Sequence, residues 1–244
     1  CLTAFASCGG SDDKTITVAA SSAPHAEILE QCKTAMAEKG YTLDIRVMDD
    51  YVTPNVATDD GDVGANYFQH QPYLDQFNAE KGTKLATVAK DHYEPYGIYA
   101  GTCKALADLT DGAVVAVPND ATNEARALLL LENLGLIKLK EGAGITATIL
   151  DIAENPYNIE FKEVEAAQIP NILQDVDFAV INSNYALAAN INPAEKALKQ
   201  EGAASAYGNI VAVKEGNEES AKTKALLAAL ESQKVADYIQ TTYT

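Results

Sequence analysis

Tyr67, Phe68, His70 and Tyr73 fall within seven positions of a chain that has 7% aromatic residues and no tryptophan. Asp60-Gly61-Asp62-Val63-Gly64 precedes them, which predicts that the cluster follows a turn and sits on a loop. Aromatic rings gathered on a loop either line a pocket or seal a core. Arg126 is the second candidate, one of only two arginines with Arg46. It follows the polar turn Pro118–Asn123 and is predicted in the first turn of a helix capped by Asn123. Free N–H groups and the helix dipole favour an anion there. A planar guanidinium suits a bidentate grip on a carboxylate. The alternative is a surface arginine paired with Glu124 or with nothing. Because a cation at a helix N-terminus is unfavourable to the helix itself, something else should hold it there. Asn182 and Asn184 complete the set. An amide offers both a donor and an acceptor, which suits a zwitterion, although asparagine serves caps and turns equally well.

Enzyme signatures are absent: the chain contains no HExxH, no GxSxG and no phosphate-binding glycine loop. A Ser-His-Asp arrangement converges only in space, so spacing does not test for it. His25, His70 and His92 lie 45 and 22 positions apart with no neighbouring carboxylate cluster, which predicts no metal site. His25, in the first turn of a helix, reads as structural.

Positioning these side chains requires an α/β scaffold. Thr15–Ala19 reads as a buried strand, Ser21 to Glu38 as a capped helix closed by Gly40, and Leu43–Met48 as a second strand. Together they make a βαβ unit with parallel strands. Residues 73–79, 104–109, 124–134 and 220–239 read as helical, and 113–117, 178–181 and 210–213 as strands. Asn182 and Asn184 then follow a strand's carboxyl end, where α/β sheets bind ligands.

With 18 Lys and Arg against 35 Asp and Glu, the formal charge is −17, which argues against nucleic acid or anionic lipid as a direct partner. The 244 residues suffice for one large or two ordinary domains. No apolar run approaches the ~18 residues of a membrane span. The four cysteines match no disulfide or zinc spacing. Cys8 stands between the small apolar Ala4-Phe5-Ala6-Ser7 and the flexible Gly9-Gly10-Ser11, the context of a lipidated N-terminus after signal-peptide removal. Cys32 falls on an apolar helix face and reads as a free buried thiol.

Four blocks, in order, carry a resemblance: Tyr51-Val52-Thr53-Pro54-Asn55, Ala65–Leu74, Pro118–Arg126 and Ala179–Ala186. They resemble the methionine-binding lipoproteins of bacterial ABC importers, over nearly the whole chain from Ile16 to Ile239. The resemblance implies a type II periplasmic-binding-protein-like α/β fold, two lobes joined by two crossing strands with ligand in the cleft. Residues 1–13 would be signal remnant and tether, 14–95 plus 209–244 lobe one, and 96–208 lobe two, with crossings near Tyr93–Tyr99 and Ala206–Val213. It also implies that Tyr51, Phe68, His70 and Tyr73 hold the ligand side chain, and that Asn123, Arg126, Asn182 and Asn209 hold its polar end. A thioether packs well against aromatic rings. The implied partners are methionine or a close analogue, a membrane permease and its ATPase. The implied state is an extracytoplasmic monomer tied to the bacterial membrane by lipid on Cys8 alone, with no cofactor and no catalysis. D-methionine, a methionine-containing dipeptide or another hydrophobic amino acid remains open as ligand. So do, as other classes, a small extracytoplasmic hydrolase and an adhesin.

Overall fold

The computed structural model describes residues 14–202 and 205–243, so Cys8 lies outside the described residues. Twelve strands are found among them: β1 (Thr15–Ala20), β2 (Thr42–Val47), β3 (Ala65–His70), β4 (Leu85–Tyr93), β5 (Gly97–Ala100), β6 (Val114–Pro118), β7 (Lys138–Leu139), β8 (Ile152–Glu154), β9 (Glu160–Val164), β10 (Phe178–Ile181), β11 (Ala197–Gln200) and β12 (Gly208–Lys214). The helices are α1 (Glu27–Glu38), α2 (Thr53–Asp60), α3 (Gln71–Lys81), α4 (Ala121–Asn133), α5 (Ser183–Ala188), α6 (Pro193–Lys196), α7 (Ala221–Leu230) and α8 (Gln233–Tyr243). Two five-stranded sheets result, ordered β2-β1-β3-β12-β4 and β11-β5-β10-β6-β9. In the first, β1 runs parallel to β2 and β3, and β12 antiparallel to β3 and β4. In the second, β6 is parallel to β9 and β10, and β5 is antiparallel to β10 and β11. Each sheet buries its own apolar cluster. Val18, Tyr67, Val211 and Val213 meet α1, α7 and α8 on one side, and Val115, Phe178 and Val180 meet α4 on the other.

The βαβ unit forms as expected, with β1 parallel to β2 and α1 burying Ile28, Leu29, Cys32 and Met36. Cys32 is a free buried thiol. Four expectations need correction. The aromatic cluster is not a loop: Phe68 and His70 lie on β3, whose every residue is buried, and Tyr73 is in the first turn of α3. Polar Asn66 and Gln69 disguised this strand. They satisfy each other and Asn55 of α2 inside the protein, with Gln69 Nε2 donating to Asn55 Oδ1 at 2.7 Å and to Asn66 Oδ1 at 2.8 Å. The segment Ser22–Ala26 is an irregular turn with Ala23 extended, and the regular helix begins only at Glu27. Ser21 makes no capping bond, because its hydroxyl is committed to His25. Residues 104–109 hold only a single 3-10 turn, Leu106–Asp108. The last helical region splits into α7 and α8. The helices α2, α5 and α6 and the strands β4, β7, β8, β9 and β11 had no sequence expectation, and β5 begins inside the expected first crossing.

Candidate functional site

All eight side chains expected at the ligand line one cavity. They are Tyr51, Phe68, His70, Tyr73, Asn123, Arg126, Asn182 and Asn209. Their elements come from both sheets. The carboxyl end of β3 gives Phe68 and His70, the first turn of α3 gives Tyr73, and β12 gives Asn209. From the second sheet's side, α4 gives Asn123 and Arg126, and the junction of β10 with α5 gives Asn182. Tyr51 sits in the connection from β2 to α2.

One end of the cavity is aromatic. The Tyr51 ring lies 5.7 Å from Phe68, 5.6 Å from Tyr73 and 4.9 Å from Tyr185 between centroids. The Tyr73 hydroxyl donates to the Tyr51 carbonyl at 2.8 Å, fixing the edge of this slot. His70 serves twice. Its Nδ1 accepts the Tyr73 N–H and so caps α3, which leaves the proton on Nε2, 3.4 Å from Asn123 Oδ1. Burial, with the nearby Arg126 charge, lowers its pKa to about 3, so the ring is neutral.

The other end is polar. Tyr51 donates to Asn184 Oδ1 at 2.7 Å, and Asn182 donates to Asn123 Oδ1 at 2.9 Å. These bonds fix both amide orientations and leave Asn182 Oδ1 and Asn184 Nδ2 buried with no hydrogen-bond partner among the described residues. Asn184 lines the same cavity, as do Gln69, Glu94 and Ser183, which the residue reading did not single out as ligand contacts. Glu94, the carboxylate inside the first crossing, could have been noticed as the acidic group nearest the expected zwitterion.

Arg126 needs a correction. The cap of α4 is Asp120, which accepts the Asn123 N–H at 3.1 Å, so Arg126 lies in the second turn and off the helix terminus. Its partner is Glu201, not Glu124. Nε donates to both Glu201 oxygens at 2.9 and 3.1 Å, and Nη2 donates to Glu201 Oε1 and to the Glu94 carbonyl. Tyr96 and Tyr207 flank the guanidinium with centroids 4.8 and 4.4 Å from Cζ. Burial opposes the charge, but Glu201 outweighs it and holds the Arg126 pKa above its ordinary value. Only Nη1 is left without a partner among the described residues, so the guanidinium offers the cavity one nitrogen rather than a free fork.

His25 is fully buried under Asn209, not at the cleft rim. Its Nε2 lies 3.0 Å from Asn209 Oδ1 and 3.2 Å from Glu94 Oε1, and its Nδ1 2.6 Å from the Ser21 hydroxyl. His92 Nε2 lies 2.9 Å from the same Glu94 oxygen, and His92 Nδ1 2.6 Å from the Tyr67 hydroxyl. Chain spacing therefore did not keep these groups apart. One ligand atom each from His25, His92 and Glu94 falls within 4.8 Å of the others, a grouping that could hold a metal ion. Burial draws the His92 pKa down, but the bonds to Asp91 and Glu94 carry it up to about 9. Burial draws His25 down to about 4. Glu94 stays ionised, since both histidines and Arg126 outweigh its burial. Ser21, His25 and Glu94 have the order of a hydrolytic triad, yet Ser21 is 3% exposed and neither it nor His25 lines the cavity.

The sequence profile described as NlpA lipoprotein matches residues 16–244. The chain belongs to the NlpA lipoprotein family. A family relative, the methionine-binding lipoprotein MetQ of Bacillus subtilis, is 42% identical over 98% of this chain and 91% of its own length. The D-methionine-binding lipoprotein MetQ of Escherichia coli is 42% identical over 83% of this chain and 76% of its own. Among solved structures, a nutrient-binding protein from Burkholderia cenocepacia bound to methionine superposes with a TM-score of 0.90 at 43% identity, covering 93% of this chain and 96% of that one. The two-sheet α/β architecture is thus the type II binding-protein fold that the sequence resemblance implied. Among the described residues, no helix is long and apolar enough to cross a membrane.

Proposed function

We propose that this protein is the substrate-binding lipoprotein of an ABC importer and that its ligand is methionine. The observation that carries the reading is the pair of orphaned amide atoms, Asn182 Oδ1 and Asn184 Nδ2, in a cavity whose opposite end is aromatic. A buried polar atom without a partner is destabilising by about 1–3 kcal/mol. An ammonium would satisfy the first and a carboxylate the second, with Arg126 Nη1 as the further donor to the carboxylate. Glu94, held by two histidines through Oε1, supplies negative charge for the ammonium. Tyr51, Phe68, His70 and Tyr73 then receive the thioether side chain, and Asn123 and Asn209 orient the amides and the His25 ring around it.

The sheets support lobes of residues 14–95 plus 209–244 and 96–208, because β12 pairs with β3 and β4 while β5 pairs with β10 and β11. Closure would bring Tyr51 against Asn184. Lipid on Cys8 would hold the protein outside the membrane, as a monomer that delivers ligand to a permease and its ATPase. The Ser21–His25 pair stands outside the cavity, and no covalent step is assigned to it.

Native mass spectrometry of the purified protein, followed by calorimetry with L-methionine, D-methionine, norleucine, leucine and glycyl-methionine, tests the assignment. Methionine should bind tightest among the free amino acids. Tighter binding of the dipeptide or of leucine refutes it.

A further inference from the structure

Glu201 stands outside the ligand cavity, yet it is the most heavily engaged carboxylate beside it. Its Oε1 accepts the Arg126 Nε at 2.9 Å, the Tyr93 hydroxyl at 2.8 Å and the Tyr96 N–H at 2.9 Å, and Arg126 Nη2 as well. The side chains of Arg126 and Glu201 are 5% and 10% exposed, so little solvent screens the pair. The cation meant for a ligand carboxylate thus already has an anion on its far edge.

We propose that Glu201 is a built-in counterion that competes electrostatically with the ligand carboxylate for Arg126 and thereby sets the ligand selectivity of the site. This rests on the reading of the cavity as an amino-acid site. Two consequences follow from the geometry. Glu201 occupies Nε and Nη2, so the ligand is confined to Nη1 and to whatever the asparagine amides add. Glu201 also cancels the charge of Arg126, so the polar end does not hold an anion by net charge. A ligand must bring its own ammonium to Glu94 as well as its carboxylate to Arg126. A site of this kind favours zwitterions over simple carboxylates, and holds them loosely enough to pass on.

Glu201→Gln separates charge from geometry, since the amide oxygen can still accept from Arg126 Nε. The readout is the affinity ratio of methionine to methioninamide, measured by calorimetry for wild type and variant. Methioninamide lacks the carboxylate and carries one positive charge. With the counterion neutralised, methionine gains attraction to Arg126 and methioninamide does not. With the repulsion between two carboxylates on one guanidinium removed, the ratio should rise by about tenfold or more. A purely structural role would change both affinities alike, and an unchanged or lower ratio overturns the proposal. Glu201→Asp keeps the charge and withdraws it by one methylene. It should give an intermediate ratio, and it decides the matter if the glutamine variant does not fold. Wild-type protein that binds neither ligand overturns the cavity reading itself. Wild-type binding with an unmoved ratio overturns only the counterion.

Discussion

Replacing Arg126 by alanine should damage the fold as well as the site. Sequence reasoning alone predicts lost binding in an intact protein, because it sees an arginine waiting for a ligand. The structure shows a buried pair, with Nε 2.9 and 3.1 Å from the two Glu201 oxygens and Nη2 2.9 Å from the Glu94 carbonyl. Alanine leaves the Glu201 carboxylate desolvated without its cation, which in buried pairs destabilises by about 3–5 kcal/mol. Removing the guanidinium from between Tyr96 and Tyr207 adds ~0.5–2 kcal/mol. For a chain of this length each kcal/mol moves the melting temperature by about 2–4 °C, so the variant should melt roughly 7–28 °C lower. Urea unfolding and thermal melts measure this, with calorimetry for methionine alongside. The double variant Arg126→Ala with Glu201→Gln should recover most of the stability and none of the binding, since the stranded charge is gone but the carboxylate donor is still missing. An Arg126→Ala protein as stable as wild type would show that the pair is not desolvated in solution, and the argument would fail.

Phe68→Leu should lower the preference for methionine over leucine by about two- to tenfold, since one sulfur–ring contact contributes ~0.3–1.5 kcal/mol. Competition binding with norleucine, which keeps the shape and lacks sulfur, distinguishes this from a change of slot width; an unchanged preference removes the ring from the argument. His92 has its pKa raised to about 9, so the folded state holds its proton more tightly than the unfolded chain does. That contribution is complete below about pH 6.5 and is lost as pH rises through about 9. Over this window wild type should lose about 3 kcal/mol more than His92→Gln in urea unfolding. Parallel pH profiles for the two proteins would contradict a charged His92.

The lining of the candidate cavity was legible in the sequence, and the reason is local. Phe68, His70, Tyr73, Asn123, Arg126 and Asn182 lie in short contiguous blocks beside strand ends, so a linear motif records them together. Their support was not legible. Glu201 comes to Arg126 from 75 positions away, and His25 reaches Asn209 across 184. A lone glutamate in a polar stretch carries no sign of the arginine it will meet. The strand β3 was misread for a related reason: period and polarity describe how a residue meets water, and Asn66 and Gln69 meet only each other and α2. The histidine spacing that argued against a cluster failed because β4 and the Ser22–Ala26 turn converge on one carboxylate.

The phenols around the cavity have a practical consequence. The chain has twelve tyrosines and no tryptophan, so its ultraviolet emission comes from tyrosine alone. Three of those rings, Tyr51, Tyr73 and Tyr185, form the contiguous aromatic end, and Tyr96 and Tyr207 bracket Arg126. Five of twelve emitters thus stand in the aromatic cluster beside the cavity or against Arg126, with no indole to absorb their signal. A ligand entering the cavity would therefore be read in tyrosine emission, and a single tryptophan placed beside the second sheet would serve as an energy-transfer acceptor for it.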